Sequence, residues 1–264
     1  MTKTSCSDNG TYPDFCLKAS SQENIFNCFR RHPVYTQVVE TVPRKGGKDY
    51  LKLALKFNPK ITKHLDKFAT SERIGSPKTY KYRTSFLGKN YTFSPTTLRY
   101  VLVLSQLVHF FGDLNNFNIV EIGVGYGGLC KVIADLFPSA KYTLVDLPEA
   151  LSLSQKFLTH FDVKNVQYLD ATHIPTQISY DLCISNYAFS ELSRDIQDLY
   201  FQNILKNSKC GYMLCNFKTH TWQNEQYKET ELLELLKGSV VYKDKQWLAN
   251  IDLQYNISLI TWNQ

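Results

Sequence analysis

Gly123, Gly125, Gly127 and Gly128 follow the apolar run Ile119, Val120 and Ile122, and a helical pattern resumes at Leu129, Val132, Ile133 and Leu136. A buried strand, a glycine turn and a helix start let a ligand lie against bare backbone and unpaired N–H groups. The glycines fit two patterns. Gly123, Gly125 and Gly128 match the G-x-G-x-x-G spacing that accommodates a dinucleotide. Glu121 before Gly123, Gly125 and Gly127 puts a carboxylate at the mouth of the turn, which repels a pyrophosphate and attracts a cation. Asp146 ends the next strand, 23 positions after Gly123, where a carboxylate accepts both hydroxyls of a ribose. Asp170 ends the third strand, where an acidic acceptor takes the amino group of adenine. Tyr126, Leu147 and Ala171 adjoin these positions and are expected in the same ligand wall.

A second set of residues follows the fourth strand. Ser185-Asn-Tyr-Ala-Phe-Ser-Glu-Leu192 lies across from the glycine turn in a parallel sheet, so Ser185 and Asn186 are expected to reach the ligand. Group transfer to a hydroxyl needs the acceptor held close and its proton removed. Glu191 is the first candidate for that base and His173 the second. Each also has a structural reading: an acid at a helix N-terminus for Glu191, an ordinary loop residue for His173.

These positions need a scaffold. Ser94-Pro95 is a helix start, with a serine cap and proline at the first helical position; the helix runs through Leu98, Val101, Leu104 and Val108 and stops at Gly112. Strands are expected near 118–122, 141–146, 165–170, 180–185 and 211–216, with helical crossovers, which implies a parallel sheet. Two runs near 240–248 and 253–262 have no helical pattern between them and are expected to pair antiparallel. Before residue 90 the pattern is helical over 14–42 and 50–68. Residues 1–12 read as loose, 44–48 as a flexible basic loop and 71–93 as loop. The expected fold is α/β, with residues 1–90 a basic helical cap and 91–264 the sheet domain.

The combination of Phe93-Ser-Pro-Thr-Thr-Leu-Arg-Tyr100, Val120-Glu-Ile-Gly-Val-Gly-Tyr-Gly-Gly128, Leu144-Val-Asp-Leu-Pro148 and the 185–192 stretch resembles the sugar O-methyltransferases. These are Rossmann-like class I enzymes that use S-adenosylmethionine and are associated with polysaccharide biosynthesis. Arg31-His-Pro33 and Asn256 with Trp262 also resemble that group. The resemblance implies a mostly parallel sheet with an antiparallel last strand. It implies that Glu121, Gly123 and Gly125 line the methionine end of the cofactor, Asp146 the ribose and Asp170 the adenine. It assigns no base. The acceptor implied is a sugar hydroxyl, nucleotide-linked or in a glycan, and Tyr187 and Asn256 are expected beside it.

Charge sharpens the acceptor. The 264 residues carry a net +6, with 17 basic and 7 acidic residues among 1–95 and 13 and 17 after it. A basic first third suggests an anionic partner, with Tyr91, Arg99 and Lys89 near the entrance. No metal is expected: the histidines are scattered, the fourth strand ends without an aspartate, and magnesium prefers several oxygen ligands. The seven cysteines form no C-x-x-C pair and suggest no disulfide framework. With no apolar run of about 18 residues and no apolar leader, a cytoplasmic location is expected. Three alternatives stay open: an RNA or protein methyltransferase, an NAD(P)-binding oxidoreductase, and a catalytically silent nucleoside-binding protein.

Overall fold

The computed structural model describes residues 10–83, 88–176, 178–217 and 226–263. Among the described residues nine strands form two sheets: β1 (Tyr80–Arg83) and β2 (Asn90–Phe93) pair antiparallel, and the other seven make the main sheet. These are β3 (Asn118–Ile122), β4 (Lys141–Asp146), β5 (Val166–Asp170), β6 (Tyr180–Asn186), β7 (Ser208–Cys215), β8 (Val240–Tyr242) and β9 (Ser258–Asn263). Their order is β5-β4-β3-β6-β7-β9-β8. Strands β3 to β7 run parallel, and β9 lies antiparallel between β7 and β8. This is the Rossmann-like class I methyltransferase arrangement expected from the sequence. Order reverses at β3, whose neighbours β4 and β6 lead away on opposite sides; such a switch point opens a crevice at the carboxyl ends of the strands.

Strand alternation sorts the core. Ile119 and Leu144 face one apolar cluster, Val120, Ile122 and Val145 the other, as a period of two requires. Glu121 shares its face with Ile119 and is therefore buried beneath the N-terminal helices. On that face the helix Arg44–Phe57 packs along the helix Pro95–Phe111, and the helix Thr11–Ser21 packs on Pro148–His160. Ser94 caps the Pro95–Phe111 helix, its Oγ accepting from Thr97 N–H at 3.1 Å, and Gly112 ends it at φ 77°. Arg30, fully buried, ties this face together. It pairs with Glu40 and Glu72 and donates to Ser94 Oγ at 2.8 Å and to the Ser71 carbonyl at 3.1 Å.

Four local expectations change. Residues 44–48 open a helix rather than a loop, because Gly46 and Gly47 are buried; a Cβ on Gly47 would lie 2.4 Å from the Tyr82 hydroxyl and 3.1 Å from Pro95 Cα. Glycine here allows close packing. The stretch 71–93 contains the β1–β2 pair. Helix begins at Thr11, so the loose stretch stops by residue 10, and residues 1–9 lie outside the described ones. A short helix, Asn250–Gln254, sits between the antiparallel β8 and β9. Of the described cysteines only Cys28 is exposed, and all are free thiols. Among the described residues no helix is long and apolar enough to cross a membrane.

Candidate active site

A cavity of about 600 Å³ opens at the switch point, within the usual range for small-molecule sites. Gly123 and Gly125 form its floor, with φ of 76° and 55°. Gly123 also faces the turn after β6: a Cβ there would fall 2.1 Å from the Ala188 Cβ. The turn is held by Asp146, which accepts from Val124 N–H at 2.8 Å, Gly125 N–H at 3.2 Å and, through its other oxygen, Leu147 N–H at 2.8 Å. Asp146 thus fixes the glycine turn while its carboxylate remains on the cavity wall. Burial raises its pKa, and the three N–H groups oppose that rise. Leu147, Ala171 and Thr172 continue the wall.

Glu121 lines the cavity but is not the ready carboxylate the sequence suggests. It is 3% exposed and accepts from the Tyr142 hydroxyl at 2.7 Å. Burial pushes its pKa up to about 8, the Tyr142 hydrogen bond lowering it and Asp146 raising it.

Asn186 and Glu191 also face this space. Both polar atoms of the Asn186 side chain are buried with no partner among the described residues. Tyr187, in the left-handed region at φ 71°, sends its hydroxyl to Asp252 Oδ1 at 3.0 Å. Tyr50 donates to the same oxygen at 2.8 Å. Glu191 sits in a short 3-10 turn, Ala188–Glu191, and desolvation raises its pKa to about 7. Arg99 borders the cavity with its guanidinium carbon 5.2 Å from the Tyr187 ring centre. Gln37, Val38, Val39, Thr41 and Val42 add to the lining from the N-terminal part of the chain.

Six expected site residues lie elsewhere. Tyr126 is wholly buried against Phe29, Phe157 and Arg30 and packs the N-terminal helices onto the turn. Ser185 is buried, its Oγ accepting from Phe189 N–H at 3.1 Å and donating to the Ile122 carbonyl at 3.3 Å, so it staples the turn after β6 to β3. Asp170 turns back on its own loop, accepting from Thr172 N–H and Thr172 Oγ1, both at 2.8 Å; this is the local capping that short acidic side chains favour. His173 has 82% of its side chain exposed and points out beside Asp170, outside the cavity lining. Tyr91 belongs to β2 and borders a separate cleft with Arg31 and Arg73, while the nearby Lys89 pairs with Asp66 at 2.7 Å. Asn256 is an exposed turn residue at φ 54° between the lining residues Tyr255 and Ile257.

The structure adds residues that pattern reading passed over. Tyr50 reads as one more apolar position on a helix, and Asp252 falls in the gap between two strand-like runs. Only the tertiary fold joins them. Among the described residues no group of three or more His, Cys, Asp or Glu side chains could hold a metal ion.

No protein-family model matches the chain. It is 30% identical over 103 residues to the malonyl-(acyl-carrier protein) O-methyltransferase of Bacillus anthracis, covering 37% of this chain and 38% of that protein. It is 31% identical over 108 residues to the Bacillus cereus protein of the same name, covering 40% and 37%. The chain thus spans less than two-fifths of these curated relatives. Among solved structures it is similar to the pyocyanin biosynthetic protein PhzM, with a TM-score of 0.42, 15% identity and coverage of 63% of this chain and 57% of that one. It is also similar to Haemonchus contortus phosphoethanolamine N-methyltransferase 1 in complex with phosphoethanolamine and S-adenosylhomocysteine, with a TM-score of 0.44, 16% identity and coverage of 61% and 41%.

Proposed function

We propose that this protein transfers a methyl group from S-adenosylmethionine to an oxygen of a small acceptor, a sugar hydroxyl carried on a nucleotide or a glycan. The observation that carries the reading is a single cavity into which both the glycine turn and the desolvated Glu191 open. The class I sheet, the resemblance of residues 185–192 to sugar O-methyltransferases and the methyltransferase names of the curated relatives support it.

The residues present fit the cofactor. Gly123 and Gly125 present bare backbone on the cavity floor, Asp146 keeps a carboxylate beside them, and Glu121 offers a negative partner to an ammonium. When bound, the cofactor supplies a methyl group activated on a sulfonium. The chain's own part is to place the acceptor oxygen in line and to take its proton. Glu191 is the base in this reading; ionised above about pH 7, it is matched to a neutral working pH. Tyr50, Tyr187 and Asp252 shape the acceptor side. Residues 1–90 act as a cap, of which 37–42 exclude water above the reacting atoms.

A second reading is a carboxylate acceptor. The Arg99 guanidinium in the wall favours it, and the curated relatives' names refer to a malonyl group. A carboxylate is already ionised and needs no base, so its rate should be flat through pH 7, whereas a hydroxyl acceptor's rate should climb there.

The test is calorimetric titration of S-adenosylhomocysteine and of NAD, followed by labelled-methyl transfer to a panel of sugar nucleotides. Binding of the homocysteine compound alone, weakened by Asp146→Ala, is the expected result. Binding of NAD alone overturns the reading.

A further inference from the structure

Arg99 is a cation in the cavity wall that makes no ion pair among the described residues, although Asp252 on the same wall acts on it electrostatically. It lies on the helix Pro95–Phe111 one turn after the Ser94 cap. Its guanidinium carbon is 5.2 Å from the Tyr187 ring centre and 5.7 Å from that of Tyr100, so aromatic faces fix its aim. Its hydrogen bond among the described residues is a long one, Nη2 to the Val39 carbonyl at 3.4 Å. The Nε N–H is buried with no acceptor among the described residues. Asp252 shares the wall but is already engaged. It takes the hydroxyls of Tyr50 and Tyr187 on one oxygen and Ala249 N–H, at 3.2 Å, on the other. A buried donor left unmet is costly, and a guanidinium's planar fork is matched to a carboxylate, which it binds through two parallel hydrogen bonds.

Glu121 lines the same cavity. A carboxyl group and a guanidinium facing one space complement a zwitterion: the acid meets an ammonium, the arginine a carboxylate. The Asn186 amide, also without a partner among the described residues, lines the cavity too and offers a further donor.

We propose that Arg99 seats a carboxylate inside the cavity, carried either by the aminoacyl arm of the bound cofactor or by the acceptor. The first source rests on the cofactor reading above; the second does not. This narrows the anion site anticipated from the basic first third of the chain to the part-buried Arg99, since Lys89 pairs with Asp66 and Tyr91 opens onto another cleft.

The test titrates three probes into the wild-type protein, Arg99→Gln and Arg99→Lys. The probes are S-adenosylhomocysteine, 5′-methylthioadenosine (the same nucleoside without the aminoacyl arm) and malonate, the last with and without saturating S-adenosylhomocysteine. Thermal melting confirms that each variant is folded. A weakening of S-adenosylhomocysteine by roughly thirtyfold or more in Arg99→Gln, partly restored in Arg99→Lys, with methylthioadenosine unchanged, assigns the carboxylate to the cofactor arm. Unchanged S-adenosylhomocysteine, with malonate bound by the saturated wild type and lost in Arg99→Gln, assigns it to the acceptor. If a folded Arg99→Gln binds all three probes as the wild type does, the proposal is overturned. If the wild type binds neither nucleoside, the cofactor reading fails instead. Malonate on the ligand-free protein then decides alone: binding lost in Arg99→Gln upholds the carboxylate seat, and no binding by the wild type ends it.

Discussion

Two carboxyl groups in one cavity are held near neutrality by burial, and each makes a separate statement about pH. Glu191, at about 7, gains its shift from desolvation. If it removes the acceptor's proton, methyl transfer should rise with pH through about 7 and level off above it, and Glu191→Gln should lower kcat by roughly a hundredfold or more; a pH–rate series on both proteins checks this. Glu121, at about 8 against an ordinary 4.5, bears on stability. The native chain keeps a proton that the unfolded chain has released. Its contribution is therefore complete below about pH 4.5 and is lost as pH climbs through 8, a change of roughly 3–5 kcal/mol. Glu121→Gln cannot ionise, so urea unfolding across pH 5–9 should show a flatter decline than the wild type. Asp170 teaches the converse at this scale. Its position at a strand end is visible in the chain, but the direction of its carboxylate is decided by Thr172, two residues on, which competes locally with any ligand.

At the level of elements, the glycine turn and the turn after β6 are packed against each other through Gly123 and Ala188. Gly123→Ala adds a methyl where 2.1 Å is free and at a φ of 76°. The expected cost is about 2–4 kcal/mol from overpacking and backbone strain together. Ala188→Gly in the same chain should return the overpacking part and leave the backbone part, so a double-mutant cycle by chemical denaturation should show clear coupling. The elements themselves were largely readable. Apolar runs ending in Asp146 and Asp170, and the Ser94-Pro95 cap, are signals contained within a few residues. The basic helix start at Arg44 was not readable, because two glycines in a lysine-rich stretch look like a loop. Gly47 packs against Tyr82 and Pro95 and Gly46 against Ile251, residues far along the chain that no local pattern contains.

Across the whole molecule, Arg30 joins four stretches of chain, through Glu40, Ser71 with Glu72, and Ser94 with Thr97. It anchors the segment that lines the cavity to the helix that carries Arg99. Arg30→Met leaves Glu40 and Glu72 without their partner and should cost about 3–5 kcal/mol, read as a fall in melting temperature. S-adenosylhomocysteine affinity should fall with it, because residues 37–42 lose their anchor at Glu40. On the glycine-turn side of the cavity Glu121, Gly123, Gly125 and Asp146 were legible, because strands and turn fix them, whereas Tyr126, Asp170 and Ser185 turn elsewhere. On the opposite wall Arg99 and Tyr187 were legible, but residues 37–42, Tyr50 and Asp252 follow no strand-and-turn signature.

The hydrogen bond between Tyr50 and Asp252 spans 202 positions of sequence. Contacts that distant close large loops and form late when a chain folds. The glycine-turn half of the cavity draws on β3, β4 and their turns. The other half needs two remote parts of the chain to meet. Under the proposed function, a chain in which they have not met has no wall to select what receives the methyl group.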